Sequence, residues 1–130
     1  MRYAIGVDLG GTNIAVGLVD ENWRIVDKAN LPTLAPRPAE EIVADMARLT
    51  RELSARNLVV PVGVGIGAPG IISDGIIHAA ANLKFREEPI RAMMEKAGYE
   101  PLTGGVYDTF GHWVEQAITR DIVLAKYTGK

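Results

Sequence analysis

The chain has 130 residues, 48% hydrophobic and 23% charged, with a net charge of −2. That length suits one domain with a real core, the composition is that of an ordered globular protein, and the lack of a basic excess argues against a general nucleic-acid or anionic-membrane binder. Cysteine is absent, which excludes disulfides, thiol catalysis and a cysteine zinc site. The most apolar stretch, Leu58 to Ile72, is interrupted by Pro61, Pro69 and four glycines, so no membrane span is expected. The first residues lead straight into a strand-like segment without a signal-peptide core, so the expected location is cytoplasmic.

In chain order, Tyr3 to Asp8 reads as a buried strand ending in a carboxylate, and Leu9-Gly10-Gly11-Thr12 as a turn. Ile14 to Asp20 is a second strand, and Asp20-Glu21-Asn22 supplies turn chemistry. Trp23 to Ala29 alternates as a third strand with one exposed face. These segments predict an antiparallel three-stranded meander. Leu31 to Pro38 holds three prolines and reads as an extended connector. Ile42, Met46, Leu49 and Leu53 then form one helical stripe, with Glu40 and Glu41 in the first turn, Arg51 and Arg56 near the end, and Asn57 as a stop. Val60 to Gly67 is apolar enough for a strand inside a sheet. Ile71-Ile72 and Ile76-Ile77 make a small hairpin across Ser73-Asp74-Gly75.

A short helix is expected from Pro89, burying Ile90, Met93 or Met94, and Ala97, and stopping at Gly98. Leu102 to Tyr107 reads as a weak strand. Phe110, Trp113, Val114, Ala117, Ile118 and Ile122 mark a final helix. The predicted order is strand-strand-strand-helix-strand-helix-strand-helix. A right-handed crossover after the meander would lay the fourth strand beside the first. The fold class is therefore α/β, a mixed sheet with flanking helices of the ribonuclease H-like kind shared by actin-like ATPases.

Two glycine-rich stretches carry the chemistry. In Asp8-Leu9-Gly10-Gly11-Thr12-Asn13, residues without Cβ atoms let backbone N–H groups approach a phosphate, and Thr12 adds a hydroxyl. Asp8, at the strand end, suits a hydrated magnesium ion. A plain hairpin turn is the alternative reading. In Gly63-Val64-Gly65-Ile66-Gly67-Ala68-Pro69-Gly70, alternate glycines flatten one face and admit a ligand or a close backbone, with tight packing as the alternative.

Ile5 to Ile14, Gly63 to Gly70 and Gly75-Ile76-Ile77-His78-Ala79-Ala80-Ala81-Asn82-Leu83 together resemble the N-terminal part of the ROK family (repressor, open reading frame, kinase), and its glucokinases most. The resemblance covers about residues 3 to 100, and residues 101–130 diverge within what reads as a single domain, 1–130. It implies ATP-dependent phosphorylation of a hexose. On this resemblance Asp8, Gly10, Gly11 and Thr12 form the ATP phosphate loop, and Gly67, Gly70 and Asn82 line the sugar site. ATP and magnesium are the implied cofactors, with Asp8 holding the metal through water. A small hexose and ATP are the implied partners, without nucleic acid or membrane. Zinc is not expected without cysteine, and a homo-oligomer is. His78 reads as structural.

The family continues with a Glu-Asn-Asp-Ala-Asn-type motif whose Asp is the catalytic base. Here Asp108 falls between the expected strand and helix, but Val106 and Tyr107 replace the Glu and Asn. Asp108 is thus both the candidate base and a candidate helix cap. The second lobe of the family lies outside these residues, so weak turnover by this chain alone is expected. A non-catalytic sugar- or nucleotide-binding module is the alternative. The chain begins at the first strand, with no DNA-binding segment ahead of it, which counts against a repressor. A ribonuclease H-like nuclease is disfavoured, because Asp8 is the only acid clearly placed at a central strand end.

Overall fold

The computed structural model describes residues 1–22, 24–68, 70–73, 75–97, 99–101 and 122–127. A six-stranded sheet and a three-stranded sheet share one core. The first strands are β1 (Tyr3–Leu9), β2 (Asn13–Asp20) and β3 (Ile25–Pro32), paired antiparallel as the expected meander. The β2–β3 turn is built on Asp20, whose buried carboxylate accepts the N–H groups of Asn22 at 2.8 Å and Arg24 at 3.1 Å. That is the local bond for which Asp is favoured in turns. β3 runs three residues past its expected end, because β2 keeps offering partners as far as the Asn13–Pro32 pair. Trp23 lies outside the described residues.

Helix α1 (Ala39–Arg56) carries the predicted stripe, and Ile42, Met46, Leu49 and Leu53 are all buried. The stripe is wider than the apolar residues alone indicate, since Thr50 and Ser54 are buried too. Each donates its hydroxyl to the carbonyl four residues back, at 2.8 and 2.7 Å, so neither oxygen is left unpaired. Asn57 ends the helix and its Nδ2 donates to the Leu53 carbonyl at 2.8 Å.

β4 (Val64–Gly67) follows and pairs parallel with β1, as the crossover rule predicts. It starts later than Val60, since Pro61 has no N–H to give a ladder. Contact with β1 nevertheless begins earlier, through Val62 N–H to the Tyr3 carbonyl at 2.7 Å. β5 (Ile71–Ser73), β6 (Ile76–Ala80) and β7 (Phe85–Glu88) form the small antiparallel sheet, with a single 3-10 turn at Ala81–Leu83 between β6 and β7. Helix α2 (Ile90–Lys96) buries Ile90 and Met94, with Met93 and Ala97 partly buried. Arg51 of α1 donates to the carbonyl of Ala97.

β8 (Tyr99–Pro101) and β9 (Ile122–Tyr127) complete the large sheet, whose order is β3-β2-β1-β4-β9-β8. β9 pairs antiparallel with β4, a strand that the sequence reading did not include. Ile122, expected as the last residue of the final helix, instead opens β9. The rest of that helix and the strand expected over 102–107 lie outside the described residues.

One face of the large sheet carries Ile5, Val7, Leu9, Ile14, Val16, Leu18, Val64 and Ile66 into the core against the helices. Ile77, Leu83 and Phe85 of the small sheet and its turn join the same cluster. The opposite face is nearly flat. Gly17, Gly6 and Gly65 stand in register across β2, β1 and β4 there. Among the described residues no helix is long and apolar enough to cross a membrane.

Candidate functional site

Because β1 and β4 are parallel, their carboxyl ends share one edge of the sheet, the place where ligands bind in open α/β folds. Asp8 is next to last in β1 and pairs in register with Gly67 of β4. Its side chain is exposed, on the flat face. A depression of about 820 Å³ extends over that face, lined by Asp8, Gly67, Lys28 and Asn30 around the glycine row.

The first loop closes on itself. The N–H of Gly10 donates to the carbonyl of Asn13 at 2.9 Å, and a Cβ on Gly10 would lie 2.9 Å from that same oxygen. Only a residue without a side chain fits so close a return. The N–H groups of Gly11 and Thr12 donate to no group among the described residues, and Thr12 is exposed. Two amide donors and a hydroxyl thus follow closely after Asp8 in the chain, a donor set suited to an anion.

Thr33, just after β3, is fully buried under this loop. Its hydroxyl donates to the Gly10 carbonyl at 2.7 Å, and its N–H to the Thr12 carbonyl at 3.0 Å. Sequence reasoning took residues 31–38 as a connector and missed it. The signal available was one hydroxyl between prolines, which gives no hint of its partner.

The second and third motifs reach the same place. A Cβ on Gly11 would fall 2.9 Å from Asn82 Cβ and 3.7 Å from its Nδ2, so Asn82 lies directly against the first loop. Gly70 has φ +100°, and a Cβ there would sit 2.0 Å from the carbonyl oxygen of Ala79. The chain leaving β4 therefore packs on the residues that lead into Asn82, in a conformation that favours glycine. The structure sets Asn82 against Gly11 of the first loop, pairs Gly67 with Asp8, and packs Gly70 on the residues that lead into Asn82. His78 is engaged across the hairpin, its Nδ1 2.9 Å from Glu87 Oε2, in keeping with a structural role. Asp108, with Val106 and Tyr107, lies outside the described residues.

Among the described residues no group of three or more His, Asp or Glu side chains could hold a metal alone. Asp8 is a single exposed carboxylate, which suits an ion such as magnesium that keeps its waters and takes few protein ligands.

A family model described as "ROK family" matches residues 4–103. A glucokinase of Streptomyces coelicolor is 36% identical over 97 residues, which cover 73% of this chain and 29% of that protein. Among solved structures, a ROK family glucokinase from Streptomyces griseus in complex with glucose and AMPPNP superposes with TM-score 0.65 at 36% identity. The match covers 72% of this chain and 30% of that one. An inorganic polyphosphate/ATP-glucomannokinase from Arthrobacter gives TM-score 0.66 at 33% identity, covering 75% and 41%. The chain thus spans less than a third of the length of the two glucokinases it matches. These relatives are sugar kinases, so the large sheet with its flanking helices is the actin-like ATPase arrangement expected from the order of elements.

Proposed function

Because the chain belongs to the ROK family, we propose that it supplies the phosphate- and sugar-binding half of an ATP-dependent hexose kinase of the glucokinase kind. The observation that supports this reading is the closeness of Gly11 to Asn82, which leaves no room for a Cβ between the glycine turn and that polar side chain. Phosphoryl transfer depends on holding a sugar hydroxyl in line with the transferred group, so a site that places both substrates within a few ångströms is what the chemistry requires.

In this reading the N–H groups of Gly11 and Thr12 and the Thr12 hydroxyl bind the nucleotide phosphates, while Gly10 closes the turn. Magnesium bound with the nucleotide would neutralise phosphate charge, and Asp8 would hold one of its waters. Asn82 donates to and accepts from sugar hydroxyls, and Gly67 and Gly70 leave room for the ring. Asp108 is the proposed base that takes the sugar proton, a role worth about 10²–10⁴-fold in rate. The glucose and AMPPNP held by the Streptomyces griseus relative support the choice of substrates.

Calorimetric titration with Mg-AMPPNP and with glucose, beside a coupled phosphorylation assay, tests the proposal. Both ligands should bind, and Gly11→Val should abolish nucleotide binding by filling the phosphate position and displacing Asn82. Unchanged nucleotide affinity in Gly11→Val would remove the phosphate-loop assignment. Binding of both ligands with weak phosphorylation is the outcome expected of one half of a kinase, and failure of glucose to bind would remove the sugar-site assignment.

A further inference from the structure

We infer that Thr33 is a positioning residue for the phosphate loop, aiming the Gly11 amide at the anion; this rests on the phosphate-loop reading above. The argument is one of peptide geometry. A carbonyl and the N–H that follows it belong to one rigid trans unit and point in opposite directions. Thr33 Oγ1 holds the Gly10 carbonyl, at 2.7 Å, so the Gly11 N–H of the same unit is directed away from Thr33. The Thr33 N–H holds the Thr12 carbonyl at 3.0 Å and fixes the next unit but one in the same way. The two held units bracket the Gly11–Thr12 peptide, and the Gly11 N–H, which belongs to the first of them, is fixed without any side chain of its own.

The anchor is itself held. Arg37 Nε donates to the Thr33 carbonyl at 2.8 Å, and the Arg37 guanidinium pairs with Asp45 of α1. The loop is thus tied through Thr33 and Arg37 to the long helix across the core. Thr33 is fully buried, so its hydroxyl has no water to bond instead. An unpaired hydroxyl there would be costly, and a bonded one is correspondingly well fixed.

Thr33→Val keeps the shape and deletes the hydroxyl. Amide exchange at Gly10, whose N–H closes the turn, should speed by about five- to tenfold, the loss expected of one hydrogen bond. Mg-AMPPNP affinity should fall by a similar factor. Thr33→Ser, which keeps the hydroxyl, should restore both, whereas a purely packing role would leave Ser no better than Val. Unchanged exchange at Gly10 in a folded Thr33→Val overturns the inference, whatever happens to affinity. Faster exchange in a chain whose unsubstituted form binds no Mg-AMPPNP keeps Thr33 as the loop's anchor and removes the phosphate reading instead. If Thr33→Val does not fold, the unsubstituted chain decides. The Gly10 and Thr33 amides should then open as one unit with matching protection, and rates differing more than tenfold after correction for sequence would refute the tie.

Discussion

The large sheet and the small one meet where Gly11 touches Asn82, and they are held in shape by different means. The first loop belongs to a long, regular ladder in which β1 and β2 pair without interruption from Tyr3–Asp20 to Leu9–Ile14. Its backbone needs no left-handed residue. The small sheet has strands of three to five residues and a bulge between Ile71 and Ile72. Gly70, Gly75, Lys84 and Glu87 all have positive φ there, against Leu34 and Leu58 in the rest of the described chain. Regular pairing supports the half assigned to phosphate, and local strain shapes the half assigned to sugar. Strained residues persist only where neighbours over-determine them, and they gather at ligand sites.

The largest expected effect comes from challenging that strain directly. Gly70→Ala puts a methyl into the Ala79 carbonyl at a left-handed φ, and should cost on the order of 3–5 kcal/mol, read by urea denaturation. Gly6→Ala, on the flat face with nothing within 4 Å, should stay within about 0.5 kcal/mol. Equal effects from the two would dissolve the contrast between the sheets.

The converse change is smaller. Lys84 takes the left-handed position that ends the 3-10 turn after Asn82. Lys84→Gly should stabilise the chain by about 1 kcal/mol in the same assay, because only the L side chain pays for that conformation. A loss of stability would mean that Lys84 earns its place through contacts made by its side chain.

The smallest effect belongs to the large sheet alone. Arg56 and Asn57, at the end of α1, hold the Asp27 carboxyl of β3 down to about 2, from an ordinary 3.8. The folded pKa lies below the unfolded one, so the contribution is complete above about pH 4 and is lost as pH falls towards 2. The pair is exposed, so salt should weaken it further. Asp27→Asn should lower stability slightly and evenly above about pH 4, flatten the curve between about pH 4 and 2, and match the unsubstituted chain below that.

Much of this was legible in the sequence where the signal is local. The meander follows from apolar runs and turn residues, the stripe of α1 from its spacing, and the place of β4 from crossover handedness. The three glycine-bearing motifs were legible through the family they resemble, and the structure sets the third of them, at Asn82, against the first. What stayed hidden depends on distant partners. Phe85-Arg86-Glu87-Glu88 has no strand pattern and becomes a strand, despite the positive φ of Glu87, because β6 pairs with it. Ile122 fits a helical spacing behind Ile118 yet opens a strand, because β4 offers it an edge. A short apolar run does not distinguish the two. Thr33 was hidden for the same reason, since its importance lies in carbonyls more than twenty residues earlier in the chain.

The parallel pairing of β1 with β4 also has a consequence in time. The hairpins β1–β2 and β2–β3 join neighbours in the chain, while Asp8 meets Gly67 only after α1 has been laid across the sheet. Loop-closure entropy favours the near contacts first. The topology therefore predicts that the turn bearing Gly10 and Gly11 takes shape early, and that Asn82 arrives against it among the last events of folding. A ligand that spans both would find nothing to hold in a half-folded chain, and would stabilise only the finished one.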